Sequence, residues 1–225
     1  MGKAEEHMDK ACICLRMGKL RDAMEEYNKA IKIDPANAIA HKSLGGLYYR
    51  QTMLDEAISE YRQAIKSNPK YADAHYELGI ALYRRGELEE AIKSFDQALN
   101  INPNFHIARY WLGLSYYYIG RLKEAIDAFR KALAKEPKIA IAHYHLGIAL
   151  GREGKANEAI QQFETFLEKV PKSAAAHYNL GINYYHKGDV EKAIENFKKA
   201  VEIDPSDERS KKNLEMIEEL RGKFF

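Results

Sequence analysis

Eight histidines and two cysteines are the side chains of this 225-residue chain that could hold a metal or act as nucleophiles. Their spacing argues against both. His7, His41, His75, His143 and His177 are separated by 34 residues or a multiple of it. Zinc ligands must converge to within about 2.1 Å of one ion, and a ladder of one histidine per 34-residue unit does not do that. No His-x3-His or Cys-x2-Cys pair occurs. His143 and His145 are two apart, as are Cys12 and Cys14, and on a helix such pairs diverge by about 200°. The cysteines are read as reduced thiols of an intracellular protein, with no local disulfide and no shared metal. There is no glycine-rich phosphate loop, nucleophile elbow or paired-carboxylate context. The histidines are expected to pack and hydrogen-bond half-buried, and the chain to work as a non-enzyme without metal or cofactor.

Recognition chemistry is written more fully. Tyr76, Tyr110, Tyr144 and Tyr178 follow one another at 34-residue intervals, and Tyr49, Tyr83, Tyr117 and Tyr185 share a second register. Ile80, Leu114, Ile148 and Ile182 form an aliphatic ladder, and Arg50, Arg84 and Arg152 a cationic one. Aromatic and aliphatic side chains offer apolar anchorage. Arginines add charge-assisted hydrogen bonds to a carboxylate.

The elements that carry these ladders follow from the same period. The six prolines fall at Pro35, Pro69, Pro103, Pro137, Pro171 and Pro205, always 34 apart, and fixed self-similarity of this kind means stacked repeats. Each copy is numbered so that its proline is position 32, and the copies begin at Ala4, Ala38, Ala72, His106, Ala140 and Ala174. In the third copy, His75, Leu78, Gly79 and Leu82 make one helical stripe, Gly86 breaks it, and Leu88, Ala91, Ile92, Phe95, Ala98 and Leu99 make a second. Pro103 ends the run. Two helices of about a dozen residues, joined by a turn of roughly three or four, make an antiparallel hairpin. Position 8 is glycine or alanine throughout (Ala11, Gly45, Gly79, Gly113, Gly147, Gly181), and position 24 is a ring (Tyr27, Tyr61, Phe95, Phe129, Phe163, Phe197). A mid-helix glycine costs roughly 1 kcal/mol against alanine, which implies close helix contact there.

Small residues at positions 8, 20 and 27, an aromatic at 24 and proline at 32 resemble the tetratricopeptide repeat (TPR) family, over 204 of the 225 residues. The resemblance implies an all-α fold, a right-handed superhelical α-solenoid of antiparallel helix pairs. Its expected repeats are 4–37, 38–71, 72–105, 106–139, 140–173 and 174–207, with 208–225 a capping helix and tail of one continuous domain. The helix is expected at about Asp207 to Arg221, followed by a frayed Gly222–Phe225. Three departures from the family pattern stand out: histidine at position 4, with Arg109 in the fourth copy; Phe166 at position 27, expected to widen its helix pair; and Lys10 and Cys14 in an outer first helix.

In the family, positions 2, 5, 9, 12 and 13 of the first helix line the concave surface and contact ligands. Carried over, this gives a groove of Tyr49, Arg50, Tyr76, Ile80, Tyr83, Arg84, Tyr110, Leu114, Tyr117, Tyr144, Ile148, Arg152, Tyr178, Ile182 and Tyr185, with Trp111 at position 6 nearby. If a third of each of the eight tyrosines shows, the aromatic area is about 500 Å², a patch that monomers seldom leave unused. Two specialisations of the family are missing. The chaperone-tail carboxylate clamp fails because Lys42 is followed at position 9 by Gly46, and no asparagine ladder occupies position 6.

The expected function is a cytoplasmic scaffold for a peptide or helix of a partner protein, apolar with acidic groups. Alternatives are self-assembly, with a second copy or the Phe224-Phe225 tail in the groove or at a stack end, and the repeat arm of a larger enzyme or machine. A formal charge of +2, with both signs interspersed, disfavours single-stranded RNA despite the tyrosines and arginines. No run of about 18 apolar residues points to membrane insertion. Gly2 lacks the hydroxyl residue four positions on that myristoylation wants, Glu6 standing there.

Overall fold

The computed structural model describes residues 2–224, with side chains described for residues 2–220. The described residues form thirteen α-helices. They are α1 Lys3–Arg16, α2 Leu20–Ile33, α3 Ala38–Arg50, α4 Leu54–Ser67, α5 Ala72–Arg85, α6 Leu88–Ile101 and α7 His106–Tyr118. Then follow α8 Leu122–Lys135, α9 Ala140–Arg152, α10 Ala156–Lys169, α11 Ala174–Lys187, α12 Val190–Ile203 and α13 Glu208–Phe224. The helices are thus slightly longer, and the turns inside each pair slightly shorter, than the sequence pattern suggests. The chain divides into two compact units, Met1–Ser115 and Tyr116–Phe225, the boundary falling within α7.

In the first unit α1 packs on α2, α3 on α4 and α5 on α6, and the pairs are joined by α2 against α3 and α4 against α5. In the second, α9–α10 and α11–α12 are pairs, α8 packs on α9, α10 on α11, and α13 covers α12. The close contacts are those the small residues allow. A Cβ on Gly45 would lie 2.9 Å from the Tyr61 ring, and one on Gly79 2.6 Å from Phe95. In the second unit Gly147 meets Phe163 and Gly181 meets Phe197 in the same way. Tyr61, Phe95, Phe129 and Phe163 are fully buried, each worth about 1.5–3 kcal/mol of apolar transfer.

The histidines at position 4 are structural ties. His41 Nδ1 lies 2.6 Å from Glu60 Oε2 on the paired helix, and Nε2 3.1 Å from the Pro35 carbonyl that ends the preceding pair. His143 and His177 repeat the arrangement with Gln162 and Asn196, and with Pro137 and Pro171. Where the fourth copy has Arg109, its guanidinium donates to the Pro103 carbonyl at 2.6 Å. Phe166 is buried, with its ring centroid 5.2 Å from that of Tyr144.

Turns inside the pairs need a left-handed residue. Gly86 ends α5 at φ 87°, but Thr52 occupies the same register at φ 61°. At the far end, Asp207 precedes α13 and is buried. It accepts from the Ser210 hydroxyl at 2.7 Å and from Arg209 Nε at 3.0 Å. Ile217 is buried, Leu214 half-buried, and Leu220 and Glu215 exposed. The helix extends past Arg221 to Phe224, through residues expected to fray. The expected role of the Phe224-Phe225 tail falls on side chains outside the described residues. Among the described residues no helix is long and apolar enough to cross a membrane.

Candidate ligand-binding face

The first helix of each pair buries one stripe against its partner and turns positions 5, 9, 12 and 13 away from it. The structure places these residues at different depths. Tyr110, Ile80 and Leu114 are each only 6% exposed, so they belong to the packing beneath the face. Tyr49, Tyr76, Tyr83, Trp111, Tyr117, Tyr144, Ile148, Tyr178, Ile182 and Tyr185 are half-buried, and Arg50, Arg84 and Arg152 exposed.

In the first unit the Tyr83 and Trp111 rings meet edge-on at 5.2 Å, and Trp111 meets Tyr110 at 5.6 Å. Tyr76 packs on Phe105 at 4.8 Å, and burial pushes its hydroxyl pKa up to about 12. The Arg84 guanidinium lies 4.9 Å over the Tyr49 ring of the preceding copy. The same bridge recurs in the second unit, where Arg152 lies 4.7 Å over Tyr117. Each such cation–π contact contributes about 0.5–1 kcal/mol at an exposed site. It also holds the guanidinium flat with its N–H edges free to donate. Tyr144 sits against Phe163 at 5.9 Å and accepts from Asn179 Nδ2 at 3.3 Å. His145 stacks on Phe129 at 6.2 Å, and burial lowers its pKa, which favours the neutral ring.

The tyrosine ladder breaks at Gly151, and packing explains it. A Cβ there would lie 2.9 Å from Asn183 Oδ1, and Asn183 is fixed by donating to the Asn179 carbonyl at 2.8 Å.

Two features of the face were missed by sequence reasoning. Arg209, from α13, lies 4.6 Å over the Tyr178 ring, so the capping helix contributes to the face. Position 2 of a seventh copy was the available signal. The second is a cavity of about 430 Å³ in the first unit, where Lys42, Arg50 and Glu77 surround the space above Gly46 and Tyr61. Its signals were a glycine in the aliphatic ladder and tyrosine in place of phenylalanine at position 24. Among the described residues no group of three His, Cys, Asp or Glu side chains could hold a metal ion.

Tandem helix pairs, four of them closed by a glycine-on-ring contact at Gly45, Gly79, Gly147 and Gly181, with a proline every 34 residues, define a helical repeat protein. The chain belongs to the tetratricopeptide repeat family: one family model, described as tetratricopeptide repeat, matches residues 47–105 and 144–208, and a second, described as TPR repeat, matches 13–51 and 113–154. Among solved structures it is similar to YrrB, described as a TPR protein with an unusual peptide-binding site, at 28% identity and a TM-score of 0.76. That match covers 82% of this chain and 95% of YrrB. The MamA protein gives 27% identity and a TM-score of 0.71, over 75% of this chain and 92% of MamA. PilW, a type IV pilus biogenesis factor, shares the fold at 22% identity and a TM-score of 0.75, over 95% of this chain and 100% of PilW. Comparison with curated proteins gives no match.

Proposed function

We propose that this chain is a non-enzymatic, cytoplasmic scaffold that holds a peptide or helix of a partner protein on the face built from positions 5, 9, 12 and 13. One observation carries the reading: half-buried rings repeat along that face with arginines laid over them, Arg84 on Tyr49 and Arg152 on Tyr117. Such a surface offers apolar anchorage at low entropic cost together with donors for acidic groups. A peptide-binding site is what the similar structure of YrrB is described as having. The partner segment would carry apolar anchors flanked by Asp or Glu.

Tyr110 is unsuited to a test because it is buried, and truncating a buried ring costs about 3–5 kcal/mol. Paired substitutions of surface groups serve better. Random-sequence dodecapeptides selected on the wild-type chain are expected to lose binding to Tyr83→Ala/Arg84→Ala and to Tyr117→Ala/Arg152→Ala, with helical circular dichroism unchanged. Binding by both double variants as tight as by the wild-type chain would refute the assignment of this face.

A further inference from the structure

The cavity above Gly46 is better built than the rest of the face. Gly45 and Gly46 are neighbours on α3, but only Gly45 is required by packing. A Cβ on Gly46 would meet nothing closer than the Tyr61 hydroxyl at 3.8 Å, an ordinary contact. Sister copies carry Ile80, Leu114, Ile148 and Ile182 at this position. A helix-weakening residue therefore stands where a larger one fits, and the space it leaves is open.

The floor of that space is polar. Tyr61 is 0% exposed, and its hydroxyl has no hydrogen-bond partner among the described residues. Leaving a buried hydroxyl unpaired is unfavourable. Of the six rings at position 24 only Tyr27 and Tyr61 carry a hydroxyl, and both line this cavity. Burial raises the Tyr61 pKa, so the group remains a donor. Lys42 and Arg50 line the cavity, and neither forms an ion pair with the described residues. Against these two cations stands one carboxylate, Glu77, whose pKa burial raises although Lys42 opposes the rise. The balance of charge and donors favours an incoming anion.

We propose that the Gly46 cavity receives the side-chain carboxylate of a glutamate or aspartate within the bound segment, gripped by Lys42 and Arg50 and capped from below by the Tyr61 hydroxyl. This rests on the reading of the face as a peptide site and names the residue that fixes the peptide's register. Glu77 sets the selectivity, because its own charge must be offset by the two cations before a second carboxylate settles.

Binding of bead-anchored random dodecapeptides, which present no free carboxy terminus, tests this on the full chain. Enriched sequences are expected to share one fixed Glu or Asp, and replacing it by Gln is expected to weaken binding about tenfold or more. Lys42→Met and Arg50→Met should each produce a loss of similar size. Tyr61→Phe should weaken binding severalfold while the protein stays folded. Gly46→Ile fills the cavity with a side chain that the sister copies already carry, and should abolish the preference for the acid. Glu77→Gln should tighten binding severalfold. Enriched peptides without a fixed acid, or acid-dependent binding that survives Gly46→Ile, would overturn this assignment and leave the wider peptide face standing. Binding restored only when a free carboxy terminus is supplied would overturn it in favour of a terminal carboxylate. Failure to enrich any peptide would defeat the face itself and this inference with it.

Discussion

Gly45 and Gly46 show how far residue identity alone can be read. Both are glycines in α3, yet the ring of Tyr61 stands 2.9 Å from where a Cβ on Gly45 would be, while one on Gly46 would make only an ordinary contact, 3.8 Å from the Tyr61 hydroxyl. Gly45→Ala is expected to destabilise the chain by about 1–3 kcal/mol through overpacking. Gly46→Ala should leave it unchanged or stabilise it by up to about 1 kcal/mol, and denaturant titration of the two variants separates these outcomes. Thr52 gives a second test. It holds φ 61° where the equivalent residue is Gly86, a conformation costing a non-glycine residue about 1–2 kcal/mol. Thr52→Gly should raise stability by about 1 kcal/mol net of glycine's entropy, seen as a higher melting temperature. Recurrence made the close contact at position 8 readable from sequence. What recurrence could not show was the single copy in which glycine answers to a cavity and not to a ring.

At the level of elements, four pairs are tied by a position-4 histidine to the second helix, His7, His41, His143 and His177, and the last pair is closed by α13. The sequence pattern placed α13 because Leu214, Ile217 and Leu220 keep one apolar stripe, but of the three only Ile217 is buried and Leu220 is exposed. The anchor was not legible, since Asp207 reads only as the first residue of the helix until Ser210 and Arg209 are seen converging on it. Burial alone would raise the Asp207 pKa, but hydrogen bonds from Ser210 and Arg209 outweigh it and hold the carboxyl below its usual value. A group whose folded pKa is depressed contributes stability above its unfolded pKa and loses it as pH falls through the folded value. Protection of α13 amides in hydrogen exchange should therefore decline below about pH 4. Asp207→Ala should remove that pH dependence and cost about 1–3 kcal/mol. Helix lengths were less readable than helix existence, because the run into Gly222 has no pattern of its own.

Along the whole chain, one text repeats nearly unchanged and another varies. Positions 4, 8, 20, 24, 27 and 32 specify helix pairs, and the family match follows from them. Positions 5, 9, 12 and 13 vary, and their depth could not be read from type. Ile80, Leu114 and Tyr110 sit beneath the face, whereas Ile148, Ile182 and Tyr144 remain partly open. The same residue types therefore serve packing in one copy and surface in another, a difference that depends on neighbours from adjacent pairs. The arginines were expected to await an acidic partner, and those of Arg84 and Arg152 already have a ring beneath them. The most direct measurement of the central claim is amide chemical-shift mapping of the isotope-labelled chain with a selected dodecapeptide. Shifts confined to the outward positions of first helices, above all Gly46, Tyr49, Tyr83 and Arg84, are the predicted result. Shifts centred on the second helices, or no shifts at saturating peptide, would contradict it.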